Sequence, residues 1–257
     1  MGKRNRATPS RVAPRGADAK GGIVIGIPTR GECQSHFART LTDMAYWDAV
    51  YGGRRLNATR PFIWSVGATQ IVNARNNLVH QFLAQEHGEW LLMLDDDQIY
   101  PQHLLEYLTT AADPKERRII GVPVWRLQSD AERSDDVRAT HNVFDFHESG
   151  SFVEWSEPLP ENSLVQVGAI GTGCMMVHRS FLEEMRDWSE ANNVGRRWCW
   201  FRHNVWQPAD LAEGEDLYFC RVASMMGEPV FAYTFTTLGH VKSIILNGAV
   251  APGLMTI

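Results

Sequence analysis

The chain has 257 residues, 44% hydrophobic and 21% charged, with a net charge of −5, which is the composition of a soluble globular enzyme and not of a fibrous or low-complexity protein. Its apolar runs fall far short of the ~18 residues that cross a bilayer, so no membrane partner is expected, and the basic N-terminus lacks the apolar stretch of a secretory signal. Four dispersed cysteines, Cys33, Cys174, Cys199 and Cys220, show neither CxxC pairing nor metal-ligand spacing, which excludes a disulfide scaffold and points to a reducing, cytoplasmic compartment.

Charge is unevenly spread. Residues 1–20 carry Lys3, Arg4, Arg6, Arg11, Arg15 and Lys20 against Asp18, so the tail holds +5 and the rest of the chain −10. The tail is rich in Pro, Gly, Ala and Arg without apolar periodicity, and residues 1–21 are expected to be disordered. Such a segment is either a solubilising leader or a basic arm that finds a polyanion such as DNA or RNA.

Order is expected from Gly22. The β-branched run "GIVIGIP" reads as a buried strand, followed by the loop "PTRGE". Residues 37–50 have helical spacing, and "PFIWSV" is a second strand. "TQIVNARNNLVHQFLAQ" places Ile71, Leu78, Phe82 and Leu83 on one helical stripe, with Thr69 as its N-cap. "EWLLML" is a third strand, Pro101 opens a helix "PQHLLEYLTTAA", and "RRIIGVPVW" is a fourth strand. Strand and helix thus alternate over residues 22–125, which argues for a mainly parallel α/β sheet flanked by helices. Residues 126–166 are polar and poorly periodic, with scattered short strands at best. Neither a GxGxxG turn nor a Walker lysine loop is present. A single domain over 22–257 is the simplest organisation.

The third strand runs into Asp95, Asp96 and Asp97. In open parallel sheets ligands bind at the carboxyl ends of strands. Clustered carboxylates are hard oxygen ligands suited to Mg²⁺ or Mn²⁺, and a cation offsets their mutual repulsion. An acidic loop that complements the dipole of the next helix would need one aspartate, not three.

"LLMLDDDQIYP" resembles the Asp-x-Asp motif of GT-A fold glycosyltransferases, enzymes with nucleotide-sugar donors, and further segments follow in the family's order. "IVIGIPTRG" is similar to the first strand and its nucleotide-cradling loop, which would hold Pro28, Thr29 and Arg30. "NARNNL" is similar to the helix that carries an Arg-Asn pair beside the donor, which makes Arg75 a phosphate or base contact. "GAIGTGCMMVHRSFLE" is similar to the glycine-containing acceptor-side strand, where Gly171 and Gly173 would admit substrate to the backbone. "GEDLYF" resembles the Glu-Asp motif of inverting members. The resemblance makes Asp216 the general base with Glu215 beside it, since one carboxylate must accept the acceptor proton. "TTLGH" is similar to the closing Gly-His of the metal site. By this resemblance Asp95 and Asp96 contact the donor, Asp97, Asp95 and His240 hold Mn²⁺ or Mg²⁺, and the donor is a UDP-sugar. The nucleotide-sugar half would be 22–125 and the acceptor half 126–243. The processive Gln-x-x-Arg-Trp signature is absent, because Val194 stands where the Gln belongs.

Before the Glu-Asp motif, "RDWSEANNVGRRWCWFRHNVWQPAD" interleaves Trp188, Trp198, Trp200 and Trp206 with Arg196, Arg197, Arg202 and His203. Tryptophans stack on sugars or bases and arginines hold phosphates, so Trp198, Trp200, Arg197 and Arg202 are acceptor-binding candidates; a packing layer beneath a loop has the same composition. Two acceptors fit: a 5-hydroxymethylpyrimidine in DNA, as in viral DNA-base glycosyltransferases, which would place the enzyme in a host cytoplasm, or a glycan or protein hydroxyl. Outside glycosyl transfer, a sugar-nucleotide-forming nucleotidyltransferase and a non-catalytic sugar- or nucleic-acid-binding module remain. The sequence does not specify the sugar or the oligomeric state.

Overall fold

The computed structural model describes residues 22–67, 70–130, 133–147, 150–192, 199–206, 211–236 and 238–240. Its elements in chain order are β1 (Ile23–Thr29), α1 (Ser35–Val50), β2 (Phe62–Val66), α2 (Ile71–Leu83), β3 (Trp90–Leu94), β4 (Gln98–Ile99), α3 (Leu104–Ala111), β5 (Ile119–Gly121), β6 (Trp125–Asp130), β7 (Arg133–His141) and β8 (Val143–Phe146). There follow β9 (Phe152–Glu154), β10 (Leu164–Val167), β11 (Ala169–Ile170), β12 (Cys174–His178), α4 (Arg179–Ala191), β13 (Asn204–Trp206), β14 (Leu211–Glu213), α5 (Glu215–Met225), β15 (Val230–Tyr233) and β16 (Gly239–His240).

Seven strands form the central sheet in the order β10-β15-β5-β12-β3-β1-β2. Five of the seven point the same way; β12, inserted between β3 and β5, and β10 at one edge run against them. The sheet is therefore mainly parallel, as the βαβ spacing of residues 22–125 implies.

Every residue of β1 and β3 is buried, and period-two alternation sends their side chains to opposite faces. Ile23, Ile25, Ile27, Leu92 and Leu94 pack with Phe37 and Met44 of α1 and Leu104 and Leu108 of α3. Val24, Leu91 and Met93 pack on the other face with Leu78 and Phe82 of α2, Phe181 and Met185 of α4, and Phe219 of α5. Each fully buried phenylalanine contributes about 1.5–3 kcal/mol relative to exposure, so the two apolar layers fix where the helices sit and hence where their polar faces point. Strand β2 lies at the sheet edge and alternates buried with exposed positions.

Helix α2 carries site residues, and its ends are held unequally. Thr69, expected as its N-cap, lies outside the described residues, and Gln70 at the cap position makes no side-chain cap bond. At the other end the Arg179 guanidinium donates to the carbonyls of Phe82 (3.0 Å), Gln85 (3.1 Å) and Gly88 (2.6 Å) and lies 4.5 Å from the Phe82 ring centroid. It satisfies carbonyls that a helix end leaves open and places a cation at the negative end of the dipole.

Two expectations are corrected. The helix expected from Pro101 begins at Leu104: Pro101 sits in a preceding turn, its carbonyl accepting from the Leu104 N–H at 3.0 Å. Residues 126–166 hold more strand than their pattern suggests, including the nine-residue β7 paired antiparallel with β6. Backbone pairing carries that hairpin, and its largely polar sequence gives no alternation to read. The basic tail lies outside the described residues. Among the described residues no helix is long and apolar enough to cross a membrane.

Candidate active site

The parallel strands β1 and β3 end side by side, and their carboxyl ends open into a cavity of about 380 Å³ lined by Pro28, Thr29, Arg30, Ile71, Ala74, Asp95, Asp96 and Asp97. All six residues expected on the donor side from the first strand and the triplet thus line one cavity. Thr29 accepts from the Gly31 N–H at 3.2 Å and bonds the Asp96 carboxyl. Gly31 takes the positive φ of 118° that turns the loop away from the strand. Burial pushes the Asp96 carboxyl above the ordinary range, and repulsion from Asp97 and Asp95 adds to it although the Thr29 bond opposes it.

The three polar residues of "NARNNL" that follow one another on α2 bond to different parts of the chain. Arg75 is 4% exposed, and its guanidinium lies 3.1 Å from Asp95 Oδ1 and donates to Glu215 Oε1 as well. Burial works against the Arg75 charge, but Asp95, Glu215 and Asp216 together outweigh it and hold the guanidinium more firmly protonated than usual. The side chain expected to meet phosphate is thus engaged by protein carboxylates. Asn76 turns to the segment before β13: its Oδ1 accepts from the N–H groups of Trp200 (2.8 Å) and Phe201 (3.0 Å), and its Nδ2 donates to the Phe201 (2.8 Å) and Val72 (3.0 Å) carbonyls. Asn77 donates to Ser65 Oγ on β2 at 3.1 Å.

Opposite the triplet, α5 begins at Glu215. The Asp216 carboxyl accepts from the Leu217 N–H at 2.8 Å. Burial raises its pKa above the ordinary carboxylate value, Glu215 raises it further, and Arg75 works against both. The approach to this turn is pinned by Glu213, whose carboxylate accepts from Arg221 Nε at 2.7 and 2.9 Å. His203 Nδ1 stands 3.9 Å from Glu215 Oε2 and is exposed.

The remaining expected residues divide. A side chain at Gly173 would run into Gln98 and Asp95, at 2.3 and 3.0 Å from the Cβ position, and one at Gly171 into Asn142 at 2.2 Å. These glycines therefore admit neighbouring side chains, in place of the substrate expected over them. Trp200 is corrected from an acceptor contact to a core residue: it is 2% exposed, its indole N–H donates to the Leu182 carbonyl at 2.8 Å, and it packs edge-on to His80. Arg202 is exposed and bonded to Tyr218. Trp198 and Arg197 lie outside the described residues. The backbone of His240 pairs with Gln98, the residue directly after the triplet. Tyr100, not singled out in the sequence, is 2% exposed, and its hydroxyl lies 2.7 Å from the Gly173 carbonyl and 2.9 Å from that of Asp95. Its only signal was an aromatic residue at the close of the acidic loop.

The donor set fits a hard divalent cation in part. Among the described residues no three His, Cys, Asp or Glu side chains form a metal cluster by themselves. Asp96 and Asp97 nevertheless line the cavity with oxygen donors, and the repulsion from Asp97 and Asp95 that adds to burial in raising Asp96 is what a cation would relieve. Two carboxylates with the donor's own phosphate oxygens and water suffice for Mg²⁺ or Mn²⁺.

No known family profile matches the sequence, and no curated protein does. Among solved structures, the chain is similar to A197 from STIV (15% identity over 86% of both chains, TM-score 0.49). It is also similar to GalNAc-T7, solved with UDP, GalNAc and Mn²⁺ (10% identity, TM-score 0.50, 86% of this chain). The chain spans 44% of the GalNAc-T7 chain. The fold is the GT-A-like α/β arrangement of a mostly parallel sheet flanked by helices.

Proposed function

We propose that the protein is a glycosyltransferase that moves a sugar from a nucleotide-sugar, with UDP as the nucleotide, to an acceptor hydroxyl. One observation carries the reading: Arg75 bridges Asp95, on the cavity bounded by Pro28–Arg30 and the aspartate triplet, to Glu215 on the helix N-terminus that carries Asp216. Asp216 takes the acceptor proton as the acceptor oxygen bonds to the anomeric carbon. The bond from that carbon to the diphosphate oxygen breaks, its electron pair leaves with the diphosphate, and configuration inverts. Asp97 with Asp96, which line the cavity, and His240 by the resemblance would hold Mn²⁺ or Mg²⁺, and the ion would supply neutralisation of the charge on the leaving diphosphate. Thr29, Arg30 and Pro28 cradle the nucleotide.

For the acceptor, a 5-hydroxymethylpyrimidine in DNA is the leading reading, supported by the +5 tail and by exposed Arg202 beside Tyr218 of α5. Burial of Trp200 removes one of its stacking candidates. A glycan or protein hydroxyl is the other acceptor class. A mass-spectrometric screen of sugar donors against hydroxymethylated DNA and simple glycans tests the reading. A new mass increment of one sugar, lost in Asp216→Asn while UDP binding persists, supports it; normal transfer by that variant refutes the base.

A further inference from the structure

Arg75 stands between the two carboxylate groups of the site and touches both. Its side chain is 5% exposed; one arm meets Asp95 with Oδ1 at 3.1 Å and Oδ2 at 3.4 Å, and the other donates to Glu215. These partners lie 20 and 140 residues away in sequence, on the loop after β3 and on the first turn of α5. Both oxygens of Asp95 therefore face a permanent positive charge. A divalent cation on that carboxylate would sit beside the guanidinium in a partly desolvated site, where like charges repel more strongly than in water. Asp96 and Asp97 line the same cavity.

We propose that Arg75 is a positioning residue that divides the triplet. It withdraws Asp95 from the cation-binding set, which falls to Asp96 and Asp97, and through Glu215 it ties the donor loop to the turn that carries Asp216. The inference rests on the glycosyl-transfer reading for the nature of the reaction, whereas the division of the carboxylates is tested without turnover. α2 is suited to the role because it is anchored elsewhere: Arg179 closes its C-terminal end and Asn76 grips Trp200 and Phe201.

Mn²⁺ binding to the full chain, read from the paramagnetic resonance of the free ion with and without UDP, tests it. Asp97→Asn weakens Mn²⁺ by about tenfold or more, while the isosteric Asp95→Asn leaves it within about threefold. Arg75→Met releases Asp95 and so tightens Mn²⁺ by about threefold or more, and Arg75→Met with Asp95→Asn cancels the gain. A residue that merely stabilised the fold would not produce that increase. Should Arg75→Met fail to fold, Asp95→Asn and Glu215→Gln, which keep shape, carry the test. Glu215→Gln lowers turnover at saturating donor about 100-fold without a matching change in UDP–Mn²⁺ affinity. Loss of Mn²⁺ in Asp95→Asn as severe as in Asp97→Asn overturns the proposal, as does a wild-type chain that binds no Mn²⁺. The predicted Mn²⁺ pattern without sugar transfer would refute the transferase reading and leave the division of the triplet standing.

Discussion

Asn76→Ala removes one side chain that serves four backbone groups. In the wild type its amide is saturated by Trp200 N–H, Phe201 N–H, Phe201 C=O and Val72 C=O, at 2.8–3.0 Å. Val72 is in a helix and keeps a backbone role, but the three groups at 200–201 lose a partner in a buried environment, since Trp200 is 2% exposed and Phe201 fully buried. An unsatisfied buried group costs roughly 1–3 kcal/mol. Water entering the space left by the amide recovers part of this, so the loss should be about 3–5 kcal/mol, on the order of a 10 °C fall in Tm for a chain of this size. Asn76→Asp keeps the acceptor but turns a carboxylate oxygen toward the Phe201 carbonyl, so it should be no milder at neutral pH. Urea unfolding followed by tryptophan fluorescence reads the loss. A destabilisation below about 1 kcal/mol in Asn76→Ala would refute the claim that this amide holds the segment to α2.

Arg179→Ala removes the donor to the Phe82 and Leu83 carbonyls at the end of α2 and to those of Gln85 and Gly88 just beyond it, and should cost about 2–3 kcal/mol; faster hydrogen exchange confined to the last turn of that helix and the segment after it would confirm the mechanism, and unchanged exchange would contradict it. His178 caps α4 by accepting from the Ser180 N–H at 3.3 Å, and burial, then Arg118 and Arg179, hold its pKa below the ordinary value. The folded state therefore favours neutral His178. Its contribution is present above about pH 6.5, the unfolded value, and is lost as pH falls toward the folded pKa; His178→Asn should flatten that part of the stability–pH curve, and an unchanged slope would refute the assignment. Asp216 shows the opposite sign: its raised pKa means the ionised carboxylate costs stability as pH rises above the ordinary range near 4. Asp216→Asn should melt higher than the wild type at pH 7, with the gap closing toward pH 4, while the acid limb of wild-type turnover lies above the ordinary carboxylate value. A limb at or below about 4 would exclude Asp216 as the base.

The strands and the cavity at their carboxyl ends were legible because their signals are local. "IVIGIPT" and "WLLML" are continuous apolar runs, and the loops directly after them line the cavity with Pro28, Thr29, Arg30 and the triplet. What was not legible depends on partners distant in sequence. Arg75 reads as a phosphate ligand until Glu215, 140 residues on, is seen to occupy it. Trp200 reads as a stacking surface among arginines, yet its place is decided by Asn76 and by the Leu182 carbonyl. Gly171 and Gly173 look like openings for substrate, whereas the side chains of Asn142 and Gln98 occupy the space. In each case composition announced a polar or aromatic capability, and tertiary contact chose its use.

The central claim is that the aspartate triplet and Asp216 together transfer sugar from a nucleotide. The most direct measurement is release of UDP from UDP-sugars by the full chain, with and without Mn²⁺, in the wild type and Asp97→Asn. Release should depend on Mn²⁺ and fall by about 100-fold or more in Asp97→Asn. Release that is equal in the two proteins, or no release and no binding of any nucleotide-sugar by the wild type, would contradict it.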